Sequence, residues 1–227
     1  MKHIESFKST ITWDSLGLPS VNVDACFEGG RVISKAISFE DYEKLLFGSK
    51  KEKASYFSLE QPKGFYSGYG SIQKGTFKVI LYVPAGKHQF VSTKMQIAEQ
   101  LFYPALLFKI EYVDGRCVKK DCFALKSESE PCEDTELYCY PYGNVSSDGN
   151  ICMGNIEVKI DNISQAYKFV DAFFEGIDEG HYYSPGNTVK PKLKQEVLVR
   201  KVLNKKCFPN EWLMPANRKV KDILFKV

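Results

Sequence analysis

The chain has 227 residues, 44% of them hydrophobic and 26% charged, with a net charge of +3. That length can bury a core without metal or disulfide staples, and so small a net charge gives no electrostatic reason to expect a nucleic-acid partner. No apolar run is long enough to span a bilayer and Met1-Lys2-His3-Ile4-Glu5-Ser6 has no hydrophobic signal region, so the expectation is a cytoplasmic chain without a membrane partner.

Residues 8 to 37 hold short β-like pieces broken by Gly and Pro. Ser38-Phe39-Glu40-Asp41 predicts a short helix that Ser38 caps, with Phe39, Tyr42, Leu45 and Leu46 on one face and Gly48 past its end. After the polar stretch from Ser49 to Ala54 the pattern turns to strands. Thr76 to Val83 is rich in β-branched and aromatic residues, and Pro84-Ala85-Gly86 stops it. Gly68 to Gly75 has a glycine spacing that suggests a phosphate loop. A strand follows rather than a helix, so it reads as a hairpin loop. Gln89 to Val91 suggests another short strand.

Ala105 to Val113 predicts a strand, Asp114-Gly115 a tight turn, and Arg116 to Leu125 the return. Ser127 to Asp134 is a polar loop, and Thr135 to Tyr140 a further strand. Past the motif described below, Ile156 to Ile160 alternates as a strand would. Asp161-Asn162-Ile163-Ser164 opens the best helix in the chain, with Ala166, Phe169, Val170, Phe173 and Phe174 on one stripe and Gly176 at its end. Ile177 to Thr188 is a loop. The tail has a mixed run from Glu196 to Leu203 and a last apolar piece from Val220 to Phe225. The order gives an α+β class.

The seven cysteines, Cys26, Cys117, Cys122, Cys132, Cys139, Cys152 and Cys207, are odd in number and include no C-x-x-C pair. The expectation is reduced thiols, most of them small buried hydrophobes, and no metal site. Walker-type, G-x-S-x-G and H-E-x-x-H motifs are absent, so no cofactor is expected either.

Cys152 stands apart from the other six. It follows a turn-rich stretch, Ser146-Ser147-Asp148-Gly149-Asn150, and precedes Gly154-Asn155, which also lacks strand character. A cysteine on a loop held by a sheet is well placed to be a nucleophile, because a thiol is already partly thiolate at neutral pH. A buried structural cysteine is the competing reading. Asn144 lies eight residues before it. Its amide hydrogens could stabilise an oxyanion, or it could serve as the turn former that Gly-Asn pairs usually supply. His181, in the Gly-rich loop after the helix, is either a base or an exposed loop residue. A papain-like pairing of Cys152 with His181 is disfavoured, since the residues after Cys152 read as turn and strand rather than a helix N-terminus.

Taken together, Tyr103-Pro104-Ala105-Leu106-Leu107-Phe108, Thr135-Glu136-Leu137-Tyr138, Tyr140-Pro141-Tyr142-Gly143-Asn144-Val145 and Gly149-Asn150-Ile151-Cys152-Met153 resemble the ubiquitin-conjugating superfamily. Within it they resemble prokaryotic family D, also called PRTRC system protein B. The resemblance implies a UBC-like antiparallel β-meander packed against helices. It would have an N-terminal β-rich extension over 1–75, a core with the active-site loop over 76–190 and a C-terminal segment over 191–227. It implies that Cys152 carries a ubiquitin-like protein as a thioester, with Asn144 on the oxyanion and His181 as the histidine after the cysteine. The implied partners are a ThiF-like activating enzyme that spends ATP, the ubiquitin-like protein, and a JAB-type peptidase. A UBC-like module that has lost its chemistry and only docks these partners is the alternative. Tyr142-Gly143 stands where the eukaryotic enzymes have His-Pro, so the motif loop is expected to lose its usual rigid support.

Overall fold

The computed structural model describes residues 4–13, 19–27, 31–38, 42, 63–71, 76–126 and 131–225. Contacts divide the chain into two compact units, Met1–Ala54 and Ser55–Val227. In the first, β1 (Ile4–Trp13), β2 (Pro19–Phe27) and β3 (Arg31–Ser38) form one antiparallel sheet in that order. These strands are longer than the short pieces the Gly and Pro pattern suggested. Ser38 closes β3, and of the helix expected after it only Tyr42 lies among the described residues.

The second unit is built on six antiparallel strands. They are β4 (Phe65–Ser71), β5 (Thr76–Val83), β8 (Ala105–Val113), β9 (Arg116–Leu125), β10 (Glu136–Tyr138) and β11 (Pro215–Lys219). Their order in the sheet is β11-β10-β9-β8-β5-β4. A separate hairpin, β6 (Gly86–Ser92) with β7 (Ile97–Tyr103), lies in sequence between β5 and β8. The β4–β5 pairing makes Gly68 to Gly75 part of a hairpin whose tip, 72–75, lies outside the described residues. Asp114 and Gly115 have φ of 49° and 74°, the double positive φ that a two-residue turn needs to match strand twist.

Period-two alternation sorts the sheet's side chains to two faces. On one face Val79, Leu81, Leu106, Phe108, Ile110 and Cys122 meet α1 (Tyr167–Glu175) through Phe169, Val170, Phe173 and Phe174. The same core takes Leu198, Val199 and Val202 of α2 (Gln195–Leu203). On the other face Ile80, Leu107, Phe123 and Leu125 are covered by Val220 and Ile223 of the short α3 (Val220–Ile223). The result is mainly antiparallel sheet with a few helices, an α+β fold. The first core is aromatic, with Phe108 edge-on to Phe173 at 5.1 Å and Tyr140 to Phe173 at 5.4 Å. Such pairs contribute roughly 0.5–1.5 kcal/mol each beyond the area they bury.

Two local expectations change. Ile156 to Ile160 is not a strand, because it crosses the β8–β9 turn instead of running beside a strand. Its ties there are an Arg116–Lys159 bridge and the Ile160 amide on the Gly115 carbonyl at 3.2 Å. The helix expected from Asp161 begins instead as a 3₁₀ turn, Ile163–Gln165, before α1. Cysteine burial also differs: of the described thiols Cys122 and Cys139 are buried, Cys117 and Cys152 half-buried, and Cys132 and Cys207 exposed. Among the described residues no helix is long and apolar enough to cross a membrane.

Candidate functional site

The segment from Asn144 to Cys152 folds back on itself as a tight hairpin. Val145 bridges Ile151, and the Cys152 amide donates to the Asn144 carbonyl at 2.8 Å. The turn between them is closed three times. The Ser146 amide reaches the Asn150 carbonyl at 2.9 Å, the Gly149 amide the Ser146 carbonyl at 2.9 Å, and the Asn150 amide Ser146 Oγ at 3.1 Å. Gly149 has φ of 94°, and a Cβ there would stand 2.3 Å from the Phe123 ring, so the turn lies flat on β9 in a way only glycine permits. The returning strand of the hairpin is laid against β9 through the Cys122 amide on the Gly149 carbonyl at 2.8 Å and the Ile151 amide on the Lys120 carbonyl at 3.1 Å. Ile151 is buried, and Cys152 emerges half-buried.

Cys152 opens onto a cavity of about 250 Å³ lined by Asn144, Met153, Ile156, Ile177, Glu179 and His181 among others. All three residues singled out in the sequence therefore share one cavity wall. Asn144 is 8% exposed and its Nδ2 donates to the Ile177 carbonyl at 3.0 Å, the one hydrogen bond of that amide nitrogen among the described residues. That bond uses one of the two hydrogens the amide nitrogen carries. Ile156 and Ile177 are exposed at the rim, giving an apolar approach. Glu179 brings a carboxylate to the wall, and its Oε1 accepts from Thr93 Oγ1.

The residues before Asn144 are firmly held, contrary to the loss of support expected from Tyr142-Gly143. Tyr142 is fully buried, its hydroxyl donates to the Phe102 carbonyl at 2.8 Å, and its ring meets Tyr103 edge-on at 4.9 Å. Gly143 is gripped on both sides of its peptide: its amide donates to Asp178 Oδ2 at 2.8 Å and its carbonyl accepts from the Tyr182 amide at 3.0 Å. A proline in that place would have no such amide to give. Gly143 must also be glycine, since a Cβ would come 2.2 Å from the Cα of Gly180.

The loop bearing His181 is anchored through Asp178, which the sequence reading passed over. The Asp178 amide donates to the Val91 carbonyl of β6 at 2.7 Å, and Ile177 bridges Val91 in parallel. Its carboxyl also takes the Gly180 amide at 2.8 Å and Gln195 Nε2, from the first residue of α2, at 2.9 Å. Burial raises its pKa, while the bonds from Gln195, Gly143 and Gly180 pull it back. Of the other histidines, His88 stacks on Phe174 at 3.8 Å and is not among the cavity's lining residues. Burial lowers its pKa.

A thiol, a side-chain amide and an imidazole thus border one cavity, with exposed Ile156 and Ile177 beside them. Among the described residues no cluster of His, Cys, Asp or Glu is arranged to hold a metal ion. Comparison with known proteins gives one family match: the model described as prokaryotic E2 family D fits residues 48–216. No curated protein and no solved structure matches the chain.

Proposed function

The chain belongs to prokaryotic E2 family D, and from that membership we propose that it carries a ubiquitin-like protein as a thioester on Cys152 and passes it to an acceptor nucleophile. Membership gives it a ubiquitin-conjugating-like role in general, one that works with an activating enzyme and a ubiquitin-like protein. The finer reading is supported by one observation: Cys152, Asn144 and His181 border the same cavity, with the first two locked as neighbours.

In loading, the sulfur of Cys152 attacks the thioester carbonyl presented on the activating enzyme. A C–S bond forms, the carbonyl pair moves onto oxygen, and collapse of the oxyanion expels the activating enzyme's thiolate. Exchange between two thiols is nearly isoenergetic, so the work is positioning and oxyanion stabilisation rather than driving force. The second amide hydrogen of Asn144 is the donor for that oxyanion. In transfer, an acceptor amine attacks the Cys152 thioester and gives up a proton to the His181 imidazole. The amide forms, and Cys152 leaves as a thiolate. The exposed Ile156 and Ile177 favour apolar side chains of an incoming partner, which shed water on contact.

The test is intact mass after mixing the chain with an activating enzyme, a candidate modifier and ATP. A modifier-sized adduct that thiol reductant removes, and that Cys152→Ala lacks, is expected. Binding of either partner without an adduct would replace this reading with that of a docking module. For His181, the expected result is a pH–rate profile of discharge whose midpoint moves in His181→Ala; an unmoved midpoint removes the base role.

A further inference from the structure

Asp178 is 3% exposed and is not among the residues that line the cavity, yet its carboxyl binds the backbone beside both Asn144 and His181. Oδ2 accepts from the amide of Gly143, the residue before Asn144. Oδ1 accepts from the amide of Gly180, the residue before His181, and from Gln195 Nε2. Three donors thus converge on the two oxygens of one buried carboxyl. Hydrogen bonds to a charged group are the strong ones, and removing such a group from a buried place leaves its donors unsatisfied.

We propose that Asp178 is the positioning residue of the Cys152 site: one carboxylate fixes the backbone beside Asn144 and the backbone beside His181, and so sets those two side chains relative to each other. The inference rests on the thioester reading above and deepens it. Two observations separate it from a general packing role. The backbone groups it binds belong to the two loops that carry the candidate chemistry, and the third donor ties those loops to the start of α2. Further, Gly143 and Gly180 approach so closely that a Cβ on Gly143 would stand 2.2 Å from the Gly180 Cα. Two side-chain-free segments in that contact have no interlocking side chains of their own, so their register rests on hydrogen bonds: the Tyr182 amide on the Gly143 carbonyl, Asn144 Nδ2 on the Ile177 carbonyl, and the shared carboxylate, which alone binds the backbone of both glycines.

Asp178→Asn tests this, because it keeps the shape and replaces one acceptor oxygen by an amino group that must face a donor. Discharge of the loaded Cys152 thioester to hydroxylamine is expected to slow by about tenfold or more. Acting through Asn144 and His181, the substitution should add less than about twofold when both are already alanine, since coupled residues are not additive. A wild-type discharge rate in Asp178→Asn overturns the proposal, as does a slowdown that persists in full in the double-alanine background, which is what a purely structural role would give. Should Asp178→Asn fail to fold, Gln195→Ala removes one donor and is expected to give a smaller slowdown that also vanishes in that background; no slowdown would count against the proposal. Amide hydrogen exchange separates the two levels of argument. If wild-type Cys152 takes no modifier, the thioester reading falls. Faster exchange of both Gly143 and Gly180 in Asp178→Asn then still supports the shared tether, and unchanged exchange at both removes it.

Discussion

The backbone amide of Cys152 donates to the carbonyl of Asn144 at 2.8 Å, so the candidate nucleophile and the candidate oxyanion donor are joined through main chain rather than side chain. A side-chain substitution at either position leaves that link intact, which makes the pair unusually open to mutational test.

Cys152→Ala is expected to abolish the modifier adduct and to change stability by no more than about 1 kcal/mol, since the thiol is only half-buried and its backbone bond stays. Intact mass and a thermal melt check the two halves. A large loss of melting temperature would make Cys152 a core residue.

Asn144→Ala removes both the bond to the Ile177 carbonyl and the amide hydrogen proposed above as the oxyanion donor. The first should cost roughly 1 kcal/mol of stability. The second should slow transfer on the order of a hundredfold while partner binding holds. Single-turnover rates measured beside binding isotherms decide this, and equal rates would take Asn144 out of the mechanism.

Gly143→Ala should be among the most damaging small substitutions in the chain. Its new Cβ would lie 2.2 Å from the Gly180 Cα and 2.5 Å from Asp178 Oδ1, where there is backbone on one side and a tethered carboxylate on the other. A loss of about 2–4 kcal/mol in urea unfolding is expected, with the adduct reduced in step. Gly154→Ala is the control: there is no atom within 4 Å of its Cβ site, and φ of 56° leaves a cost on the order of 1 kcal/mol. Equal losses in the two variants would contradict this contact.

The Asp178 carboxyl has its pKa raised by burial in the folded chain, more than its three donors lower it. The native state therefore holds a proton more readily than the unfolded chain, and this group's contribution rises as pH falls through the folded pKa, reaching its full value below the unfolded one. Asn at the same position does not titrate. In urea melts, wild type should gain on Asp178→Asn between about pH 7 and about pH 4. A gap that narrows over that range would mean the donors outweigh burial.

Tyr112 is fully buried and its hydroxyl has no hydrogen-bond partner among the described residues. An unpaired buried hydroxyl costs about 1–3 kcal/mol, and the ring's stack on Phe77 at 4.9 Å does not depend on it. Tyr112→Phe is thus expected to raise the melting temperature; a fall would reveal a partner for the hydroxyl.

Much of the sheet was legible because its cues are local. Thr76–Val83 and Ala105–Val113 are dense runs of aliphatic and aromatic residues bounded by turn formers, and Asp114-Gly115 carries its own turn chemistry. The stripe from Ala166 to Phe174 identified α1 for the same reason. β7 escaped notice: three exposed residues part Ile97 from Leu101 while only Phe102 parts Leu101 from Tyr103, so neither a strand nor a helix period stands out. In the site, Cys152 and Asn144 were visible as a short motif, and His181 as a rare residue type in a Gly-rich loop. Asp178 was not, because its three donors come from 35, 2 and 17 residues away and no local pattern records such a convergence. The support for Tyr142-Gly143 was hidden likewise, since its anchor, the Phe102 carbonyl, lies 40 residues upstream.

The β6–β7 hairpin contributes none of the three candidate residues, yet Val91 receives the Asp178 amide and Phe102 the Tyr142 hydroxyl. The Cys152–Asn144 turn is closed by near neighbours in the chain, whereas the placement of His181 waits on contacts as distant in sequence as that of Asp178 with Val91. Contacts of short sequence separation form early and those of long separation late. A folding chain would then form the Cys152–Asn144 turn before it placed His181. If the proposed roles hold, mild denaturant should loosen the His181 loop before the Cys152 turn, and discharge should suffer before loading.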